Sequence, residues 1–255
     1  MQISTDNKTN EQNLADYPAV LRQMLFNRKI ITQEQAELFL YQEGSLHSPF
    51  LLKGMQAGVV RLWQAIDSCE KIAVYGDYDA DGVTATALMM LALQSLNANV
   101  SPYIPNRFEE GYGLNCEAIE HLASEGVQLI ITVDCGIRSP TEVEYARQLG
   151  VDVIISDHHE PREDLPQAAA VICQKQPGDE YPEKGLAGVG LAFKIIQAAL
   201  VYRNIPIETA DEWLDLVAVG TVSDLVPLTG ENRSLVKAGL KQLQQRRNIG
   251  LRALM

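Results

Sequence analysis

From residue 71 onwards, short apolar runs alternate with longer stretches whose apolar residues recur at helical spacing. Strands that alternate with helices of this length indicate βαβ units and a mostly parallel sheet. Runs without alternation of apolar and polar residues, such as 129–133, are typical of strands buried on both faces. We therefore predict an α/β fold with a mostly parallel sheet flanked by helices. The predicted strands are 72–75, 100–104, 129–133, 151–155 and 168–173, and the predicted helices are 83–96, 116–124, 141–149, 188–202, 207–219 and 234–245.

The N-terminal part of the chain has a different pattern, without strand-like runs. Helical spacing extends over residues 17–42, and a second helix start is predicted at Thr32, where Gln35 fits a capping box. Another helix is predicted over residues 54–68. The chain thus divides into a disordered leader at 1–15, a helical N-terminal segment at 16–70, an α/β domain at 71–230 and a final stretch at 231–255.

The composition is that of an ordinary globular protein, with 46% hydrophobic and 21% charged residues. Neither an apolar run of the roughly 18 residues needed to span a membrane nor a signal-peptide core is present. The four cysteines include no C-x-x-C pair and are too sparse for a disulfide framework. We therefore expect a cytoplasmic protein without membrane partners.

Acidic residues and histidines follow directly after three of the predicted strands. In open parallel sheets, ligands bind beyond the carboxyl ends of the strands, so these side chains are expected to meet at one rim. The rim residues are Asp77, Asp79 and Asp81 after the first strand, Asp134 after the third, Asp157, His158 and His159 after the fourth, and Asp224 after the helix predicted over 207–219.

Several carboxylates at one rim repel one another unless cations neutralise them. Carboxylate ligands with one or two histidines and no cysteine favour Mn²⁺ or Mg²⁺ over structural Zn²⁺. A pair of such ions activates water and stabilises charge at a phosphorus centre. The rim therefore indicates metal-assisted phosphoester hydrolysis.

Other interpretations of the same residues exist. The first three aspartates resemble the start of an EF-hand loop, but Leu88 stands at the twelfth position, where that loop requires Glu. Asp79 and Asp81 also resemble the aspartyl-nucleophile loop of haloacid-dehalogenase-type phosphatases, which do not need the histidines of the rim. A lone Asp after a strand is commonly a turn or cap residue. The coincidence of four such places favours the metal centre.

Further segments, at 103–107, 110–114, 186–194 and 220–228, accompany these motifs. Together with the three aspartates, Asp134 and Asp157-His158-His159, they resemble the DHH phosphoesterase superfamily, and within it the RecJ-like single-strand-specific DNA exonucleases. Many DHH relatives open the first motif with His, whereas this chain has Asp77, as RecJ-like sequences do. The resemblance extends from about residue 17 to the C-terminus, and residues 71–230 would be the DHH catalytic domain.

The resemblance implies two divalent metal ions, Mn²⁺ or Mg²⁺. One ion would be held by Asp77 and Asp79, and the other by Asp81, His158 and Asp224. Asp134 would bridge them and so belong to the catalytic residues as well as to the ligands.

The remaining candidate site residues contact the substrate or orient other groups. His159 would lie near the scissile phosphate, and Asp157 would orient the imidazoles. Arg107 is a candidate phosphate ligand because its planar guanidinium suits bidentate contacts. Gly188 and Gly190 open a helix whose backbone N–H groups could receive a phosphate.

The resemblance also implies the reaction and the partners. The expected activity is 5′→3′ hydrolysis of single-stranded DNA to 5′-mononucleotides, in DNA repair and recombination. Expected partners are single-stranded DNA and, beyond it, single-strand-binding protein and recombination factors. The alternatives are a DHH phosphodiesterase acting on short oligonucleotides or cyclic dinucleotides, and a non-catalytic DHH binding module.

RecJ-like enzymes carry a second domain that usually contains a Gly-Gly motif, and this sequence has no Gly-Gly dipeptide. Residues 231–255 resemble the start of the helix that links the two domains. We therefore expect a fragment or truncated form without the second domain.

The charge balance at first discourages a DNA partner, since 21 Lys and Arg against 33 Asp and Glu give −12. Six of those acids are rim residues, and two bound divalent ions would place positive charge where a phosphate must bind. Beyond residue 230, six basic residues oppose only Glu231. The net charge therefore does not exclude DNA as the substrate.

Overall fold

The structure, a computed structural model, describes residues 14–41, 46–108, 110–245 and 247–255. Its contacts divide the chain between residues 44 and 45 into two compact units. The leader predicted over 1–15 lies outside the described residues as far as residue 13. Leu14, which that prediction included, is buried in the first unit.

The described part of the first unit contains two short helices, α1 (Ala19–Asn27) and α2 (Gln33–Tyr41). Between them Lys29 has a φ of +60°, a left-handed conformation that interrupts the helical path. The predicted capping box is present: the Gln35 N–H donates to Thr32 Oγ1 at 3.2 Å, and the Thr32 N–H donates to Gln35 Oε1 at 3.3 Å. The apolar core of this unit consists of Leu14, Tyr17, Leu25 and Ala36.

A parallel sheet forms the centre of the second unit. Its strands are β1 (Lys71–Gly76), β2 (Asn99–Tyr103), β3 (Val127–Val133), β4 (Asp152–Ser156) and β5 (Ala170–Ile172). They are ordered β2-β1-β3-β4-β5, and each lies where an apolar run predicted a strand. The order reverses at β1 and β3, and ligands bind at such a reversal, outside the carboxyl ends of the strands.

Helices cover both faces of the sheet, as predicted. Residues of β1 alternate between the two faces: Ile72 and Val74 join the larger apolar core, whereas Ala73 and Tyr75 join the smaller one. The helices of this unit are α3 (Met55–Asp67), α4 (Ala80–Ser95), α5 (Cys116–Ser124), α6 (Pro140–Gln148), α7 (Gly188–Tyr202), α8 (Leu214–Ser223), α9 (Gly230–Leu243) and α10 (Ile249–Leu254). The larger core contains residues of α3, α4, α7 and α8, and the smaller core contains residues of α5 and α6.

Beyond small shifts of helix ends, the structure differs from the predicted organisation in three places. The sequence pattern places α3 in the N-terminal segment, but Val59 and Leu62 are buried in the larger core, so this helix belongs to the sheet unit. The helix predicted over 207–219 is a 3-10 helix, Ile207–Trp213, followed by α8. The helix predicted over 234–245 corresponds to α9, which begins earlier, and a further helix, α10, follows it. Among the helices of the described residues, none is both long and apolar enough to cross a membrane.

Candidate metal centre

The rim residues predicted from the sequence meet at the carboxyl edge of the sheet. Asp77 follows β1 directly, Asp134 follows β3, and Asp157 and His158 follow β4. Asp224 caps the C-terminal end of α8. Asp77, Asp81, Asp134, Asp157 and His158 are buried, whereas Asp79 and Asp224 are more exposed.

The chain bends at Asp134, directly after β3, and this backbone conformation places the Asp134 side chain. The residue has a φ of +62°, and its N–H donates to the carbonyl of Ser156 on β4 at 3.0 Å. Gly188 passes so close that a Cβ there would lie 2.7–2.8 Å from the Asp134 side chain. Only glycine permits this approach between the start of α7 and the metal centre.

The carboxylate of Asp81 is held by the first turn of α7. The N–H groups of Gly188 and Val189 donate to its two oxygens at 2.7 and 2.9 Å. The helix terminus that we predicted to receive a phosphate through Gly188 therefore receives a carboxylate of the protein itself. A Cβ on Gly190 would meet the Leu186 side chain at 3.3 Å, which places this glycine against packed residues.

The imidazole of His158 lies among three carboxylates. Its Nε2 is 3.0 Å from Asp134 Oδ1, 3.7 Å from Asp224 Oδ2 and 3.9 Å from Asp81 Oδ2. The shortest contact lacks hydrogen-bond geometry, so His158 Nε2 and Asp134 Oδ1 are both buried without a hydrogen-bond partner among the described residues. Buried polar atoms without a partner are costly, and a metal ion is one group that would satisfy both.

Ligand atoms within 4.8 Å of one another form three overlapping groups in the described part of the chain. All donors are carboxylate oxygens or imidazole nitrogens, so the set suits hard divalent ions such as Mn²⁺ and Mg²⁺. The groups are Asp77, Asp79 and Asp134; Asp81, His158 and Asp224; and Asp134, His158 and His159. The first two groups contain all six predicted ligands, and Asp134 lies in the group of Asp77 and Asp79 as well as beside His158.

The crowded carboxylates hold their protons unusually tightly in the metal-free protein. Burial, followed by the charge of Asp134, raises the pKa of Asp81 to about 7. Burial, followed by the charge of Asp79, raises the pKa of Asp134 to about 8. The pKa values of Asp77 and Asp224 are also raised, again mainly by burial. A bound cation would stabilise the ionised forms and reverse these shifts.

Asp157 contacts His159 rather than joining any of the three groups. Its Oδ1 lies 2.7 Å from His159 Nδ1, and its Oδ2 accepts the N–H of Ile137 at 2.9 Å. Burial alone would raise the pKa of Asp157, but the hydrogen bonds from His159 and Ile137 lower it. The hydrogen bond to Asp157 also raises the pKa of His159. The imidazole is thus oriented through Nδ1, and its other nitrogen stays available.

Tyr112 is a site residue to which we assigned no role from the sequence. Its hydroxyl lies 3.3 Å from the carbonyl oxygen of Asp134 and 3.3 Å from His159 Nδ1. Gly111 and Gly113 on either side have left-handed φ values of +79° and +85°, and the chain bends at this tyrosine. The Gly-Tyr-Gly pattern in the sequence was the signal that could have identified it.

Arg107 also lies close to the predicted metal ligands. Its side chain is exposed, and the guanidinium carbon is 5.0 Å from the centre of the Tyr78 ring. The charge of Arg107 contributes to lowering the pKa of Asp77, against the larger opposing effect of burial. The structure thus brings Arg107 to the rim, together with the six predicted ligands, Asp157 and His159.

Comparison with known proteins identifies the relatives of this chain. The family model described as "DHH family, N-terminal domain" matches residues 71–221. The chain belongs to the DHH family. The match includes Asp77, Asp79, Asp81, Asp134 and Asp157-His158-His159 but ends before Asp224.

Curated relatives of this DHH chain include single-stranded-DNA-specific exonucleases. It is 48% identical over 233 residues to RecJ of Bacillus subtilis (strain 168), which covers 91% of this chain and 29% of that protein. It is 40% identical over 253 residues to RecJ of Escherichia coli (strain K12), which covers 94% of this chain and 43% of that protein. The chain thus spans less than half the length of these two relatives.

Solved structures show the same DHH fold. A crystal structure of exonuclease RecJ bound to manganese matches with a TM-score of 0.73 and 41% identity, over 80% of this chain and 51% of that one. RecJ from Thermus thermophilus in complex with Mn²⁺ matches with a TM-score of 0.74 and 34% identity, over 90% of this chain and 32% of that one. The predicted resemblance and the predicted α/β fold are both confirmed.

Proposed function

We propose that this chain hydrolyses phosphodiester bonds of single-stranded DNA in a reaction that depends on Mn²⁺ or Mg²⁺. The observation that carries the proposal is the pair of ligand groups at the carboxyl edge of the sheet, with Asp134 Oδ1 and His158 Nε2 buried and without hydrogen-bond partners among the described residues. Relatives that are 40–48% identical are single-stranded-DNA-specific exonucleases, which supports this substrate. The 5′→3′ direction and the release of 5′-mononucleotides rest on the family alone.

The metal ligands in this proposal are the six predicted residues. Related RecJ structures contain Mn²⁺ or Mg²⁺, which supports either ion. When bound, two such ions supply an activated water and stabilise negative charge at phosphorus. Asp77 and Asp79 would hold one ion, Asp81, His158 and Asp224 the other, and Asp134 both.

Other residues of the chain act on the substrate in this proposal. His159, held through Nδ1 by Asp157, would contact the scissile phosphate or give a proton to the departing 3′-oxygen through its free nitrogen. Arg107 would bind a phosphate of the strand, because a guanidinium makes paired hydrogen bonds to phosphate oxygens.

The test replaces Asp134 by Asn. Asn is nearly isosteric and accepts the left-handed backbone of this position, but it removes the charge. With a labelled single-stranded oligonucleotide and saturating Mn²⁺, the Asp134→Asn variant should release nucleotides about 100-fold more slowly or worse, since replacing residues that only orient metal ligands already costs about 10- to 100-fold.

A matched control is Asp215→Asn, which changes another buried aspartate on the helix that carries Asp224. Its Oδ1 accepts the N–H of Leu216 at 2.8 Å, a bond that Asn can also accept. This variant should keep the wild-type rate. A wild-type rate for Asp134→Asn, or an equal loss for both variants, would contradict the proposal.

Substrate length separates this proposal from a phosphodiesterase that acts on short substrates. The same assay with a long single strand, a dinucleotide and a cyclic dinucleotide should show preference for the long strand. Preference for a dinucleotide would instead support the alternative. Cytoplasmic location and association with single-strand-binding protein or recombination factors remain predictions, to be tested by fractionation and co-purification.

A further inference from the structure

Arg107 lies over the ring of Tyr78, which in turn meets the ring of Tyr112. The guanidinium carbon lies 5.0 Å from the centre of the Tyr78 ring. The Tyr112 ring meets Tyr78 edge-on, with centroids 6.5 Å apart and an interplanar angle of 79°. A guanidinium over a tyrosine ring is attracted by the negative face of the ring, which favours one position of an otherwise flexible side chain.

The backbone on both sides of Arg107 is fixed by hydrogen bonds. The N–H of Asn106 donates to Glu110 Oε2 at 2.6 Å, and Asn106 Oδ1 accepts the N–H of Phe108 at 3.0 Å. The hydroxyl of Tyr103, the last residue of β2, donates to Glu110 Oε1 at 2.5 Å. These hydrogen bonds hold the backbone around Arg107 against the sheet. The Tyr78 ring therefore needs to orient only the side chain of Arg107.

Tyr78 itself is tied to the metal centre. It lies between the predicted ligands Asp77 and Asp79, and its N–H donates to Asp77 Oδ1 at 2.7 Å. The backbone of this residue therefore contacts a metal ligand, while its ring contacts the arginine. Tyr78 thus connects the Arg107 guanidinium to the predicted metal ligand Asp77.

We infer that Tyr78 is a positioning residue: its ring holds the Arg107 guanidinium beside the metal centre, where the arginine binds a phosphate of the DNA strand. This inference rests on the proposed function, since it assumes that a nucleic-acid phosphate is the group bound. Tyr78 acts through its ring face and through Arg107, without a direct contact to the substrate.

The inference predicts different behaviour for two substitutions of Tyr78. Tyr78→Phe keeps the ring face and should keep the wild-type KM. Tyr78→Leu removes the ring and should raise KM for single-stranded DNA about 3- to 10-fold with kcat nearly unchanged, the range expected for a lost cation–π contact. The control Tyr202→Leu removes a partly exposed tyrosine at the far end of α7 and should change neither constant.

A double-mutant cycle decides whether Tyr78 acts through Arg107. Binding is measured by fluorescence anisotropy of a labelled single strand, in the Asp134→Asn background so that turnover during the measurement is negligible. Tyr78→Leu should weaken binding when Arg107 is present and have no further effect in Arg107→Ala.

Three outcomes would overturn the inference: equal losses from Tyr78→Leu with and without Arg107, equal losses from Phe and Leu at position 78, or a fall in kcat with unchanged KM. Failure of the proposed function would be visible separately, as a wild-type protein that does not degrade DNA.

Discussion

The sheet unit buries ionisable groups in two places, which differ in whether the protein itself supplies the opposite charge. In the first place, Lys194 Nζ lies 2.5 Å from Glu231 Oε1, and both side chains are completely buried. The hydroxyl of Tyr181 donates to Glu231 Oε2 at 2.5 Å, and the N–H of His47 donates to Oε1 at 3.0 Å. Lys194 also donates to the His47 carbonyl at 2.9 Å. Here opposite charges and their hydrogen bonds come from the protein itself.

The metal centre has weaker internal compensation. Asp81 and Asp134 are as deeply buried as the ion pair, and Asp81 accepts two backbone N–H groups, but their side-chain ion-pair partners among the described residues are the imidazoles of His158 and His159. The difference indicates two roles for buried charge. The ion pair joins α7 to α9 and contributes to the fold, whereas the carboxylates at the rim form a site whose missing charge must come from outside.

The largest expected effect is on stability, at the ion pair. Replacing Lys194 by Met leaves Glu231 buried without its countercharge, which should lower the free energy of unfolding by about 3–5 kcal/mol. Urea unfolding followed by circular dichroism measures this change. The double variant Lys194→Met/Glu231→Gln should recover part of the loss, and a double variant no more stable than the single one would show that the charge is not the cause.

Metal binding should have the next largest effect. An ion that binds only the folded state stabilises it by about 2.7 kcal/mol at 100 times its Kd. Mn²⁺ should therefore raise Tm of the wild-type protein and of Lys194→Met by similar increments, as measured by scanning calorimetry. Asp134→Asn should lose most of the increment, and an undiminished increment in that variant would contradict the assigned ligands.

The metal-free protein should become less stable as the pH rises. Asp81 and Asp134 have native pKa values of about 7 and about 8, above the usual 3.8, so the native state binds their protons more tightly than the unfolded state does. Their stabilising effect is complete below pH 3.8 and is lost as the pH rises through the native pKa values.

Urea unfolding in EDTA at about pH 5 and about pH 8 should reveal a decrease on the order of 2 kcal/mol that is smaller in Asp134→Asn. Saturating Mn²⁺ should abolish the decrease, because the ion stabilises the ionised carboxylates. Equal pH dependence in the wild type and in Asp134→Asn would refute the assignment of the effect to this site.

The smallest effect is expected at an exposed ion pair. Lys71 Nζ lies 2.9 Å from Glu125 Oε2, and the two side chains are 30% and 46% exposed. Lys71→Met should change the free energy of unfolding by less than about 1 kcal/mol, because solvent screens such pairs. If Lys71→Met lowered the free energy of unfolding as much as Lys194→Met, burial would not determine how strongly these ion pairs stabilise the fold.

Local pattern was enough to predict most elements of the sheet unit. β1, β3, α5 and α7 lie within two residues of their predicted bounds, because apolar runs and helical spacing are local signals. The unit boundary could not be found in this way. Helical spacing near α3 reveals an apolar face but not the partner that covers it.

The rim was predictable because parallel strands bring their carboxyl ends to one edge. The partner of the α7 N-terminus was not, since Asp81 and Gly188 meet only through tertiary packing. Glu231 shows the same limit. It stands at the start of a stretch with six basic residues, yet its countercharge, Lys194, lies on another helix.

The left-handed backbone at Asp134 restricts how this position can vary. Glycine, asparagine and aspartate adopt such a conformation most readily, and of these only aspartate carries a charge. Glutamate, the other acid, lacks the short side chain that makes this conformation accessible. The substitutions that this backbone accepts without strain therefore all remove the negative charge of residue 134, which we propose is shared between the two ions.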